Sequence, residues 1–228
     1  MMNPSEICFS SMADCAHKIA VDLSGCLLGA IRKRGHAALA VSGGRTPEHI
    51  FPLLCKADLM WDRVRVTLTD ERWVAPSHPD SNEGLARRLL MRGPAAKAHF
   101  IAMKTDHADP FDGQADVEQA LAAVGWPLDA VFLGMGEDGH IASLFPDLDN
   151  WQDAPGRALA VAGSDKRQPR MSLTPAALLD SRHIFLVIAG SKKRAIYDAA
   201  LKPGPIGALP IRLVLQQNQI PLTLYAVD

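Results

Sequence analysis

The sequence predicts an α/β protein, Rossmann-like, built on a mainly parallel sheet with helices on both faces. Three observations predict it. Short β-branched apolar runs alternate with segments of helical spacing along most of the chain. The runs lack the in-out alternation of a half-wet sheet, as expected of strands covered on both sides. The glycine-rich and charged stretches directly follow strands, and in open parallel sheets ligands bind beyond the carboxyl ends of the strands.

Taken in order, helical spacing covers residues 13–33, and Ala37–Val41 reads as the first buried strand. A helix over 47–56 leads to a strand over 64–69, and helices over 82–91 and 112–124 lead to a strand over 130–133. A short helix over 176–180, the strand Ile184–Ala189, the helix Ser191–Leu201 and the strand Leu222–Val227 complete the pattern. The Pro and Gly cluster over 203–210 reads as a loop before the final element. With no repeat, low-complexity tract or long linker in 228 residues, one domain spanning 1–228 is expected rather than two small ones.

Composition excludes several classes of function. Lys plus Arg number 24 against 25 Asp plus Glu, a net charge of -1, which lacks the basic excess of a nucleic-acid partner. No apolar run approaches the roughly 18 residues of a membrane helix, and the first ten residues carry acid and no basic leader. Cys8, Cys15, Cys26 and Cys55 show no CxxC spacing and no matching His pair, so they read as reduced core thiols rather than as a disulfide framework or zinc site. Nor do His17, His36, His78, His99 and His183 have the spacing of metal ligands.

Three loops carry chemistry. In Ser42-Gly43-Gly44-Arg45-Thr46-Pro47, Thr46 is expected to cap the next helix and Pro47 to take its first position. The two glycines let the backbone approach a ligand, and free N–H groups at a helix start favour an anion, so the loop reads as a phosphate cradle, or else as an ordinary tight turn. It lacks the GxxxxGK[ST] pattern of a Walker loop. In Thr69-Asp70-Glu71-Arg72-Trp73-Val74, Arg72 is placed to steady a developing negative charge and Asp70 to hold sugar hydroxyls, the alternative being a solvated turn. Ser81-Asn82 downstream reads as a structural helix cap.

The third loop, Gly134-Met135-Gly136-Glu137-Asp138-Gly139-His140, contains a literal GxGxxG. Glu137 and Asp138 would put carboxylates where a pyrophosphate must approach, and the following Ser143-Leu144-Phe145-Pro146 leaves little room for a crossover helix, so a dinucleotide site is rejected. The glycines instead free the backbone to present Asp138 and His140 together. A carboxylate bonded to one ring nitrogen sets the tautomer and leaves the other nitrogen to take a proton from water. Two later cations complete the set: Arg170, after a loop with Lys166 and Arg167, and Lys193, at a helix start where a cation gains nothing locally and a bound anion would explain it.

Together SGGRTP, LTDERWVAPSHPDSN, LGMGEDGHIASLFPD, PRMSLTPAALL and GSKK resemble, in matching order, the signatures of the 6-phosphogluconolactonase family. The resemblance implies a three-layer α/β/α fold related to the glucosamine-6-phosphate deaminases. It implies a cytoplasmic enzyme with no metal or organic cofactor and a sugar-phosphate lactone as substrate; a monomer or weak dimer is a separate expectation. By the same resemblance His140 is the catalytic base, Asp138 its neighbour, Arg72 the arginine of the DER motif, and Gly43, Gly44, Arg170 and Lys193 phosphate positions, with Ser42, Arg45, Thr46 and Asp70 beside them. Ile141 stands where many members have Thr, and Glu83 where an aromatic often follows Ser-Asn. In the related deaminases a Glu follows the His by five residues, where this chain has Phe145. Opening a δ-lactone needs an activated water, an oxyanion site and a proton for the departing ring oxygen, all within reach of these residues. An amino-sugar phosphate deaminase and a non-catalytic sugar-phosphate sensor are the alternatives.

Overall fold

The computed structural model describes residues 5–149, 151–165 and 167–227. Residues 1–4 of the leader reading and Lys166 of the basic loop lie outside the described residues. The elements run β1 (Ser5–Phe9), α1 (Met12–Arg34), β2 (Ala37–Val41), α2 (Pro47–Leu54), β3 (Val64–Leu68), β4 (Asp70–Arg72), α3 (Asn82–Leu89), β5 (His99–Phe100) and α4 (Pro110–Leu121). They continue with β6 (Ala130–Gly134), β7 (Ala158–Val161), β8 (Arg170–Leu173), α5 (Pro175–Leu179), β9 (Ile184–Ala189), α6 (Ser191–Leu201), α7 (Arg212–Leu215) and β10 (Leu222–Val227).

Seven strands form the main sheet in the order β1-β10-β9-β6-β2-β3-β5, and every pairing is parallel. Every residue of β2 is buried, as are almost all of β3, β6, β9 and β10, which requires cover on both faces. Helix α1 supplies much of that cover: Ile19, Leu23, Leu27 and Ile31 recur at helical spacing and are buried. Ser11 caps its start by accepting from the Asp14 amide, and Gly35, at φ 80°, ends it in the left-handed conformation that glycine adopts without strain. From β2 the chain steps to β3 on one side, and from β6 it steps to β9 and β10 on the other. The order reverses between β2 and β6, and this switch point opens a crevice at the carboxyl edge.

A second sheet, β4-β8-β7, is antiparallel. It corrects the reading of residues 70–72 as loop: they form a strand paired with residues 170–173, with Asp70 opposite Ser172 and Arg72 opposite Arg170. The two sheets join at Thr69, whose amide donates to the Val41 carbonyl while its own carbonyl accepts from the Leu173 amide. Cys15 and Cys55 are core thiols as expected, but Cys26 is only partly buried and Cys8 is exposed. Burial pushes the Cys15 thiol up to about 11. No helix is long and apolar enough to cross a membrane among the described residues.

Candidate active site

A cavity of about 280 Å³ sits at the switch point, lined from the β2–α2 loop, β4, the loop after β6, β8 and the first turn of α6. It gathers Ser42, Gly43, Gly44, Arg45, Thr46, Asp70, Arg72, His140, Arg170 and Lys193, residues spread over most of the chain. Asp138 is held just behind, on His140.

In the β2–α2 loop, Ser42 ties three strands together: its amide donates to the Phe132 carbonyl and its hydroxyl shares a 2.8 Å hydrogen bond with Thr69. Gly44 has φ 95°, and a Cβ on Gly43 would stand 1.8 Å from Asn82 Oδ1, so both glycines meet local demands. Pro47 opens α2 as expected. Thr46 does not cap it: its backbone is already helical at φ -62° and its side chain makes no cap bond, because a cap residue must be extended for its hydroxyl to turn back on the first amides.

The loop after β6 forms a compact turn rather than the start of a helix. Gly136 donates to the His140 carbonyl, Gly139 at φ 82° donates to the Gly136 carbonyl, and a Cβ on Gly136 would lie 2.1 Å from His140 Nδ1. The ring of His140 lies where only a glycine below it fits. Its Nδ1 meets Asp138 Oδ1 at 2.5 Å, and its amide donates to the same oxygen at 3.1 Å. An ionised carboxylate only accepts, so Nδ1 carries a proton, and in the neutral ring Nε2 keeps its lone pair. Burial opposes ionisation of Asp138, but hydrogen bonding to His140 and its charge outweigh that and draw the carboxyl down to about 2. Phe145 packs on the imidazole with ring centroids 4.5 Å apart. Ala142, two residues beyond His140, takes φ 48°, a strained conformation for a residue with a Cβ. Ser143 holds the strain in place, its amide donating to Ser172 Oγ and its hydroxyl to Asp70 Oδ2 at 2.6 Å.

Asp70 is buried and already engaged, with Arg170 Nη1 at 3.4 Å from the oxygen that Ser143 reaches. It therefore organises the cavity wall before any hydroxyl could reach it. Arg72 donates from Nη1 to the Asp80 carbonyl, while its Nε is buried without a partner. Cross-strand neighbours of like charge repel, and Arg72 faces Arg170 with Asp70 as the nearby counter-charge. Burial, with Arg72 and Arg167 adding to it, makes the Arg170 guanidinium less favourable as a cation, and Asp70 opposes that. Burial, then the charge of Arg45, does the same to Lys193, against Glu137. Three part-buried cations, Arg72, Arg170 and Lys193, with the exposed Arg45 beside them, line one cavity and favour an anion there.

Two residues of the site escaped the sequence reading. Asn82 lines the cavity, donates to the Asp70 carbonyl and abuts Gly43; the only sequence signal was the Ser-Asn pair, whose Ser81 does cap α3 by accepting from Gly84. Glu71 is fully buried between Asp70 and Arg72. It accepts from the amides of Arg72, Asn82 and Glu83 and from Ser81 Oγ, at 2.7–3.0 Å. A strand residue thus clamps the start of α3 and, with it, the Arg72 and Asn82 side chains. Among the two departures from the family pattern, Ile141 is fully buried and Glu83 pairs with Arg87.

Fold and cavity together define an α/β protein with a basic cavity and a hydrogen-bonded carboxylate–imidazole pair at the switch point of a parallel sheet. The chain belongs to the family described as glucosamine-6-phosphate isomerases/6-phosphogluconolactonase, whose model matches residues 10–223. It is 41% identical over 204 residues to a 6-phosphogluconolactonase of Mesorhizobium japonicum, covering 87% of this chain and 85% of that one. A 6-phosphogluconolactonase of Pseudomonas aeruginosa is 38% identical, with 95% and 92% covered. The crystal structure of a 6-phosphogluconolactonase from Shewanella baltica superposes with a TM-score of 0.96 at 33% identity, covering 99% and 98%. A monomeric glucosamine-6-phosphate deaminase, 15% identical with a TM-score of 0.82 over 98% and 97%, shares the fold.

Burial pushes the Glu71 carboxyl up to about 7, against the four hydrogen bonds that favour the carboxylate. Between its ordinary 4.5 and about 7 the native state holds a proton that the unfolded chain has released, so this group's contribution to stability falls as pH rises through that window. A carboxyl NMR titration of Glu71 should show a midpoint near 7, and a midpoint near 4.5 would contradict the burial argument. Glu71→Gln turns an amide NH₂ toward two of the four donors and should cost about 2 kcal/mol or more in denaturant unfolding, the usual scale for orphaned buried donors.

Proposed function

We propose that this chain hydrolyses 6-phospho-D-glucono-1,5-lactone to 6-phospho-D-gluconate, the lactone-opening step of the oxidative pentose phosphate pathway. The observation that carries the reading is the Asp138–His140 pair at the rim of a cavity whose other wall is made of Arg45, Arg72, Arg170 and Lys193. The relatives at 41% and 38% identity bear the name of that enzyme.

His140, with its Nδ1 proton held on Asp138, takes a proton from water at Nε2 as that water attacks the lactone carbonyl. Asp138 steadies the imidazolium that results. The tetrahedral oxyanion is received by Arg72 or by amides of the glycine loops, and His140 returns the proton to the ring oxygen as the C–O bond breaks. In this reading Lys193, the first turn of α6, the Gly43-Gly44 loop and Arg170 form the phosphate end. This division of labour uses only groups of the chain itself, and the substrate partner is a small sugar phosphate.

A deaminase acting on an amino-sugar phosphate must first open a hemiacetal ring and needs a further acid–base group near the histidine. Against His140 lies the phenyl ring of Phe145, which exchanges no proton. A lactone is already oxidised at that carbon and needs hydrolysis alone. The sensor alternative is disfavoured because the acid–base pair is intact and in hydrogen-bonding contact.

His140→Ala should lower kcat for the freshly generated lactone by roughly 100-fold or more with binding of 6-phosphogluconate little changed. Near-normal turnover after blank subtraction would remove His140 from the mechanism. Release of ammonia from glucosamine 6-phosphate by the unaltered protein would overturn the choice of reaction. Lys193→Ala should raise KM about tenfold or more, and an unphosphorylated lactone should be a correspondingly poor substrate. Equal hydrolysis of the two lactones would sink the phosphate assignment.

A further inference from the structure

At the opposite, amino-terminal edge of the sheet lies a second cavity, of about 730 Å³, lined by Arg34, His36, Asp62, Arg63, Arg65 and His99 among others. Arg65 stands out because it is the second residue of β3, a strand otherwise buried throughout. Its register neighbours are Ala38 on one side and His99 on the other. The residue is half-buried, and its side chain makes no hydrogen bond or ion pair among the described residues. The other cations are better provided: Arg34 is held by Asp129 and Arg63 lies 3.6 Å from Asp62. His99 Nε2 meets the Asp62 carbonyl at 3.2 Å.

Gly125 brings the unpartnered groups together. It has φ 87°, and a Cβ there would stand 2.7 Å from Arg65 Nη1 and 3.8 Å from His36 Nε2, so guanidinium and imidazole share one small region of the wall. Asp62 is the one carboxylate lining the cavity among the described residues, and Arg63 already draws on it. The α1 C-terminus also points here, and its carbonyl end disfavours an anion, but Arg32, Lys33 and Arg34 in the last turn offset it. A guanidinium that lines a cavity with no acid on it keeps its donors available to the acceptor oxygens of a ligand.

We infer that this cavity is a second anion site, separate from the catalytic crevice, that takes a small phosphorylated or polyphosphate ligand on Arg65, His36 and His99. A planar guanidinium flanked by two imidazoles offers donors in several directions, as a phosphate's oxygens require and a single carboxylate does not. The volume is in the range of sites for small organic ligands.

Pyrophosphate is a suitable probe. In the wild-type protein its titration should move the imidazole NMR resonances of His36 and His99 together and saturably. Arg65→Met, which keeps the aliphatic stem, should weaken that response about tenfold or more. Lys193→Ala, at the opposite edge, should leave it unchanged. Resonances of His36 and His99 that stay fixed in the wild type up to millimolar pyrophosphate overturn the site, and this measurement needs no variant. A response indifferent to Arg65→Met, or abolished by Lys193→Ala, overturns it equally.

Discussion

Parallel pairing constrains everything else in this molecule. A strand that must run the same way as its neighbour cannot be joined to it by a hairpin, so each of the seven strands returns through a crossover, and the carboxyl ends all open on one edge. Where successive crossovers leave in opposite directions, between β2 and β6, a crevice opens at that edge. The cavity is therefore a consequence of strand order before any side chain is considered. Loops that are distant in sequence, from Ser42 to Lys193, converge there because each follows a strand of the same direction or pairs with one that does.

The small antiparallel sheet adds what the main sheet cannot. It sets Arg72 and Arg170 side by side and puts the buried Asp70 next to them. Such an arrangement is unfavourable by itself, since like charges meet at reduced solvation. It is held by neighbours that have no freedom to leave: Ser143 on Asp70, the Asp80 carbonyl on Arg72, and Glu71 on the turn that carries them. Stored repulsion of this kind is relieved when an anion arrives, so the geometry that costs the free protein stability favours the phosphorylated ligand.

His140 illustrates the same trade at the level of backbone. The Gly136 and Gly139 positions allow a turn tight enough to fold the Asp138 carboxylate onto the ring, and Ala142 is bent into a strained conformation directly beyond. Hydrogen bonds from Ser143 and ring contact from Phe145 fasten the turn from the other side. The imidazole is thereby held in one orientation, which in the proposed mechanism removes an ordering cost from the reaction.

Much of this was legible in sequence. Periodicity located β2, β9, β10 and α6 to the residue, because a strand buried on both faces and a helix with a defined start leave unambiguous patterns. The loop residues could be chosen because glycine and charge directly after a strand have few other uses. What escaped were short strands: β1, the two-residue β5, and the small sheet of β4, β7 and β8, in which β4 reads as loop because its pairing partner lies far away in the chain. Thr46 was misjudged as a cap since composition does not reveal φ. Glu71 gives no signal of its own and Asn82 only that of a helix cap, as their importance lies in four donors and one glycine brought to them by folding. Local pattern by itself determined the class of fold and the chemical groups available, because both follow from neighbours along the chain. Only the tertiary structure decided which carboxylate faces the imidazole, which is sealed beneath a helix and which guanidinium stands without a partner, because burial and desolvation depend on contacts across the whole chain.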